Sequence, residues 1–270
     1  MKQIRLAILD LYNGVPNEGM RCIQQLVQEF SEEIGGCVVQ IFDVRQQGEL
    51  PALNDFDIFI STGGPGNPLE TGDWGTAYFD LIDQVFEHNK TQTAKKFLLL
   101  ICHSFQMVSH HLGIGTVTRR KSTSFGTFPI HKTANGYDEP YLELLPDPFW
   151  AVDSRDYQII NANFSRIDAI GAKVLCREKI RPHVPLERAI MAVRFSREVF
   201  GTQFHPEADA VGMLRYFQQP EKQKQVIDEH GYEKYQNMVD HLNDPDKILL
   251  TESVIIPTFL RDAYHKLAAN

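Results

Sequence analysis

The chain has 270 residues, 43% of them hydrophobic, and a formal net charge of −8, enough for a sizeable core in one large α/β domain or in a domain with an extension. The acid excess argues against a nucleic-acid or anionic-membrane surface, because the basic groups at 119–121 and 177–181 are too short to reverse it, and leaves a small molecule or a protein as the partner. Four scattered cysteines, Cys22, Cys37, Cys102 and Cys176, make no C-x-x-C pair, and the N-terminus shows neither a secretory leader nor a spanning segment, so free thiols, no metal site and a cytoplasmic location are expected.

In chain order, residues 5–11 read as a buried strand, 18–30 as an amphipathic helix, and 37–43 and 56–61 as two further strands. Helical periodicity runs through 74–89, an apolar strand through 97–101, and another helix starts near Ser104. This alternation predicts an α/β fold with a doubly wound, mostly parallel sheet and helices on both faces. After Gly113 the texture changes to short alternating runs at 115–120, 124–131, 149–153, 169–176 and 189–194, which predict an antiparallel hairpin region. Residues 199–204 read as a strand and 208–217 as a helix, and from Pro220 onward the chain is polar and helical in pattern. The expected organisation is one domain over 1–218 with a helical C-terminal extension over 219–270 packed on it.

Three separated segments carry chemistry. After the third strand comes Ser61-Thr62-Gly63-Gly64-Pro65-Gly66-Asn67-Pro68, in which Pro65 and Gly66 suit positions i+1 and i+2 of a type II turn. Bare glycines there let a ligand oxygen approach main-chain N–H groups, as an oxyanion hole requires, although an ordinary Gly/Pro loop has the same composition. Cys102 follows an apolar strand and opens a helix, where free N–H groups and the helix dipole favour a thiolate. By itself this cysteine fits a buried small hydrophobe equally well. In Gly201-Thr202-Gln203-Phe204-His205-Pro206-Glu207, Pro206 holds His205 extended, so His205 and Glu207 point the same way and the carboxylate can orient the imidazole. A strand-end histidine beside a solvated glutamate is the bland alternative.

Taken together, in this order and these settings, the three segments resemble the class I, triad-type glutamine amidotransferases, and the likeness in organisation runs from Arg5 to Phe217. The resemblance implies Cys102 as nucleophile, His205 as general acid/base and Glu207 as the residue orienting it. It implies an oxyanion hole from the backbone of Gly64 and His103, and substrate contacts from Gly63, Gly66 and Gln106. Ser154, with Arg155, stands where the family has a Ser-His pair that contacts substrate. The implied reaction is hydrolysis of glutamine to glutamate and ammonia through a γ-glutamyl thioester, with no metal or cofactor in this half-reaction. The glutaminase domain of guanosine-monophosphate synthase, or a stand-alone relative, is the branch it most resembles.

Two departures stand out. The family's corner usually carries glycine two residues before and two after the cysteine, where this chain has Leu100 and Ser104. No nucleotide-binding motif follows Phe217, so an ammonia-accepting synthetase or synthase would be a separate chain, and the C-terminal helices could cap the domain, dock that partner or form a homo-oligomer interface. A γ-glutamyl hydrolase, an acyltransferase using the same Cys-His-Glu triad, and a non-catalytic binding module of the same fold are the alternatives. His103, His110 and His111 lack the carboxylate or cysteine that would complete a metal set, and read as solvated or pocket-rim residues.

Overall fold

The structure, a computed structural model, describes residues 3–182, 184–242, 244 and 247–269. Its first half alternates β1 (Arg5–Asp10), α1 (Glu18–Glu33), β2 (Val38–Asp43), β3 (Ile58–Ser61), α2 (Trp74–Thr91), β4 (Phe97–Ile101) and α3 (His103–His111). Then come β5 (Thr116–Lys132), the single turn α4 (Ala134–Tyr137), β6 (Phe149–Ile160), α5 (Phe164–Ala169), β7 (Lys173–Glu178), β8 (Ile190–Arg194) and β9 (Val199–Thr202). Four helices complete the described chain: α6 (Ala210–Phe217), α7 (Pro220–His230), α8 (Tyr232–Leu242) and α9 (Ile248–Ala268).

Among the described residues these strands form one nine-stranded sheet in the order β2-β1-β3-β4-β9-β8-β7-β5-β6. Neighbours from β2 to β9 are parallel, and those from β9 to β6 antiparallel. The centre of the parallel half reads as an unbroken apolar run because both of its faces are covered: every residue of β4 is buried. On one face lie α1, through Ile23, Leu26, Val27 and Phe30, and α9, through Ile255, Ile256, Phe259 and Leu260. On the other lie α2, through Tyr78, Leu81, Ile82 and Val85, and α3, through Phe105, Met107 and Val108. A third cluster sits under the β5–β6 hairpin, where Phe217, Val226, Tyr235, Met238 and Leu242 pack on Val152. No described helix is long and apolar enough to cross a membrane.

The antiparallel half differs from the sequence expectation in three places; one is the run 169–176, which holds the end of α5 and a turn before β7 begins at Lys173. The runs 115–120 and 124–131 are one strand, β5, interrupted by a register shift between Arg119 and Ser124 that breaks the alternation. The strand starting at Phe149 runs on to Ile160, past Asp153, because its inward positions Asp153 and Arg155 are charged yet buried as an ion pair at 2.9 Å. A hydrophobic pattern cannot register such positions.

Candidate active site

Cys102 occupies the corner between β4 and α3 with φ 49° and ψ −96°. A non-glycine residue in this region costs about 1–3 kcal/mol and persists only where its surroundings hold it there. Here the backbone is pinned on both sides: Cys102 N–H donates to the Thr202 carbonyl at 2.8 Å, and the Cys102 carbonyl accepts from Gln106 N–H at 3.0 Å. Ser104 completes the clamp, its hydroxyl accepting from Ile101 N–H at 2.9 Å and donating to the Ser61 carbonyl at 2.8 Å.

Leu100 finds its room on the neighbouring strand. It is paired in register with Gly201 of β9. A Cβ on Gly201 would stand 2.7 Å from the Phe105 ring, 3.0 Å from Phe195 and 3.3 Å from Leu100 Cβ. The small residue the corner requires is therefore at 201 rather than at 100.

His205 leaves the end of β9 and is fixed by its N–H donating to the Val152 carbonyl of β6 at 2.8 Å. Its Nδ1 lies 2.8 Å from Glu207 Oε1, and Glu207 is fully buried. Burial alone would lower the imidazole pKa, but the Glu207 carboxylate and the adjacent Cys102 side chain outweigh it and raise it well above the usual histidine range. The Cys102 sulfur itself lies 3.6 Å from the Ser154 carbonyl and accepts from Gln203 Nε2 at 3.7 Å.

One cavity of about 230 Å³ is lined by Gly64, Gly66, Cys102, His103, Gln106, Ser154 and His205 together. Gly63 borders it: a Cβ there would come 3.0 Å from His205 Cε1 and 3.7 Å from Cys102 Cβ. Gly64 admits no side chain, since its Cβ would stand 2.3 Å from the Leu11 carbonyl oxygen. Gly66 has φ +93°, as position i+2 of a type II turn needs. Glu207 stands behind His205 and lines a neighbouring cavity of about 610 Å³, with Glu18, Cys22, Phe125 and Asp209. Burial pushes the Cys22 thiol up to about 12, so it stays protonated at neutral pH and is no rival nucleophile.

Two predicted residues play other parts than a direct contact would suggest. Gln106 donates both amide N–H bonds inward, to the Tyr157 carbonyl at 3.0 Å and to Gln203 Oε1 at 2.9 Å. Arg155 gives its guanidinium to Asp153 and Glu178. His103 is buried, not solvated; burial first and the Arg45 charge second lower its pKa to about 3, so its ring is neutral. His111 lies on the surface, stacked on Phe79 and 2.9 Å from Asp83. Among the described residues no group of three or more His, Cys, Asp and Glu side chains could hold a metal ion.

Two residues of the site escaped sequence reasoning. Gln203 shares the alternating phase of Gly201, His205 and Glu207, a signal that was present in the strand period. Arg45 pins the glycine loop by donating to the Leu11 and Pro65 carbonyls at 3.1 and 2.7 Å, and nothing in the sequence around it announces that reach.

Residues 17–213 match the family model for class-I glutamine amidotransferases. Among solved structures, a glutamine amidotransferase from Thermotoga maritima is 16% identical with a TM-score of 0.68, and the match covers all of both chains. A protein assigned as one chain of a GMP synthase, from Thermoplasma acidophilum, is 19% identical with a TM-score of 0.56, covering 77% of this chain and 86% of that one. The glutaminase domain of Trypanosoma brucei CTPS, which holds bound acivicin, is 15% identical with a TM-score of 0.56, covering 78% and 89%. These likenesses establish a common fold. No curated protein matches the sequence.

Proposed function

The chain belongs to the class-I glutamine amidotransferase family, and on that premise we propose that it hydrolyses glutamine to glutamate and ammonia through a thioester on Cys102. The observation that carries this reading is the convergence of Cys102, His205, Gly64 and His103 on a single cavity. The Cys102 sulfur attacks the side-chain carboxamide carbon, and its proton passes to His205. The resulting oxyanion is received by the backbone N–H groups of Gly64 and His103, an interaction whose loss typically slows such reactions by about 10²–10³. Collapse breaks the C–N bond while His205 protonates the departing nitrogen, releasing ammonia. Water, deprotonated by the same imidazole, then hydrolyses the thioester to glutamate and the free thiol. Glu207 holds the ring and balances its charge throughout, a role its short contact with Nδ1 supports.

The ammonia would pass to a separate synthetase or synthase chain. Four free cysteines fit a reducing, cytoplasmic setting. A second reading rests on the cavity of about 610 Å³ that adjoins His205 on the side of Glu207. It could seat an amine larger than ammonia, which makes a γ-glutamyl amide the alternative substrate.

Acivicin and glutamine separate these outcomes. Incubation of the full chain with acivicin is expected to give one adduct, mapped to Cys102 by peptide mass spectrometry, and glutamine to yield ammonia at a rate lost in Cys102→Ala. No adduct, no ammonia from glutamine and no amine from γ-glutamyl amides would overturn both readings. Release of the amine from γ-glutamyl amides, without ammonia from glutamine, would select the second.

A further inference from the structure

The β5–β6 hairpin walls a second cavity, part apolar and part cationic, that glutamine hydrolysis does not use. Where the register of β5 shifts, Arg119 pairs with Tyr157 and Ser124 with Arg155, so residues 120–123 all stand opposite Asp156. A bulge of this size re-aims the side chains it carries. Beneath it lies a cavity of about 300 Å³ lined by Arg120, Ser122, Ser124, Lys179 and Arg181. That volume is at the lower end of small-molecule sites.

Two carboxylates share its wall, and both are already engaged. Asp153 receives Arg155 Nε on both oxygens at 2.9 Å and the Ser124 hydroxyl at 2.7 Å. Glu178 is met by Arg120 at 3.1 Å, Arg155 at 3.3 Å and Arg181 at 2.7 Å. The cavity's lining sets Arg120, Lys179 and Arg181 against Asp153 and Glu178, one positive charge over in a chain whose net charge is −8, with Arg155 behind them and Asp156 opposite the bulge. Burial, and then the Arg155 charge, lower the pKa of Arg120, while at Arg155 burial is outweighed by Asp153 and Glu178, which raise its pKa.

Donors also remain available. Arg181 Nη2 is buried and, although 2.7 Å from Glu178, is not directed along a hydrogen bond. Lys179 Nζ stands over the Phe128 ring, 5.1 Å from its centre. Guanidinium forks, an ammonium and a hydroxyl arriving from β5 and from the segment after β7 suit a tetrahedral oxyanion, which accepts from several directions, better than a flat carboxylate.

We propose that this cavity binds a phosphate-bearing small molecule through Arg120, Lys179, Arg181 and the Ser122 hydroxyl of the bulge. The site is independent of the glutamine reading, yet adjoins it: Thr123 lines both cavities, and Arg155, which fixes the inner wall, also lines the one at Cys102.

Calorimetric titration of the full chain with inorganic phosphate at low ionic strength tests this, with succinate as the carboxylate control. The expected result is saturable one-to-one phosphate binding, weakened at least about tenfold in Lys179→Gln/Arg181→Gln. If the double variant does not fold, Lys179→Gln alone, which removes only the ammonium over the Phe128 ring, is expected to weaken binding at least about threefold. No saturable binding up to about 10 mM phosphate, equal binding of succinate, or variants that bind like the wild type would each overturn the proposal.

Discussion

At Gly201 the requirement for a small side chain is displaced by one strand, and the corner at Cys102 depends on it. A methyl there meets the Phe105 ring at 2.7 Å and Leu100 Cβ at 3.3 Å, and overpacking of this kind costs about 1–3 kcal/mol. Gly201→Ala is therefore expected to lower the denaturation midpoint and slow alkylation of Cys102, whereas unchanged alkylation would show that the corner tolerates the strain. The pairing of His205 with Glu207 makes a sharper forecast. Since Glu207 holds the imidazole pKa up against burial, Glu207→Gln should drop it below the wild-type value, seen by NMR titration of the ring. The sign for stability follows. A raised histidine pKa supports the fold fully below about pH 6.5, its unfolded value, and that support fades as pH climbs through the folded value. The variant should lack that pH dependence; a profile parallel to the wild type would count against the pairing. The residues of this site were legible because period and punctuation exposed them: His205 and Glu207 through the intervening proline, Gly63 to Gly66 through the turn. Arg45 was not, because a long side chain reaching across from another loop leaves no local pattern.

At the scale of elements, legibility followed solvent exposure. Strands β1, β3 and β4 are apolar runs because both faces are covered, and their limits were readable to within a residue or two. The second half of β6 was not, since Asp153 and Arg155 bury charge against charge. Helix α9 was readable as a helix but not as part of the main core, where Phe259 meets Tyr141 edge to face and Arg261 pairs with Glu33 of α1. Docking of that kind is a tertiary fact without a sequence period. One residue of α9 carries a measurable consequence. Burial, with Asp209 and Glu29 nearby, raises the Glu252 pKa from 4.5 to about 7. The folded chain thus holds that proton to higher pH than the unfolded chain, so the group's contribution is full below pH 4.5 and lost as pH rises through about 7. Glu252→Gln, neutral throughout, should gain in melting temperature relative to wild type between pH 5 and pH 8. A gap that stays constant over this range would refute the placement of Glu252 among those carboxylates.

For the molecule as a whole, the cavity at Cys102 lies on the seam between the parallel and antiparallel halves of the sheet. Cys102 belongs to the first half through β4, while Ser154 and the Val152 carbonyl that anchors His205 belong to the hairpin of the second. Strand β9 is the junction, pairing with β4 on one side and β8 on the other. This placement has a consequence in time. Leu98 and its partner Val199 are separated by about a hundred residues of chain, and closing so long a loop is entropically late. On the proposed function, the sulfur would exist before its base during synthesis or refolding, and the nascent chain would carry an unarmed thiol until β9 docks between β4 and β8. Cys102 reactivity towards acivicin should accordingly rise with the slowest refolding phase, followed by quenched labelling against intrinsic fluorescence. Labelling that precedes that phase would mean that the thiol is activated without its base. Labelling that rises with it would make β9 the strand whose docking between β4 and β8 arms the thiol for the proposed chemistry.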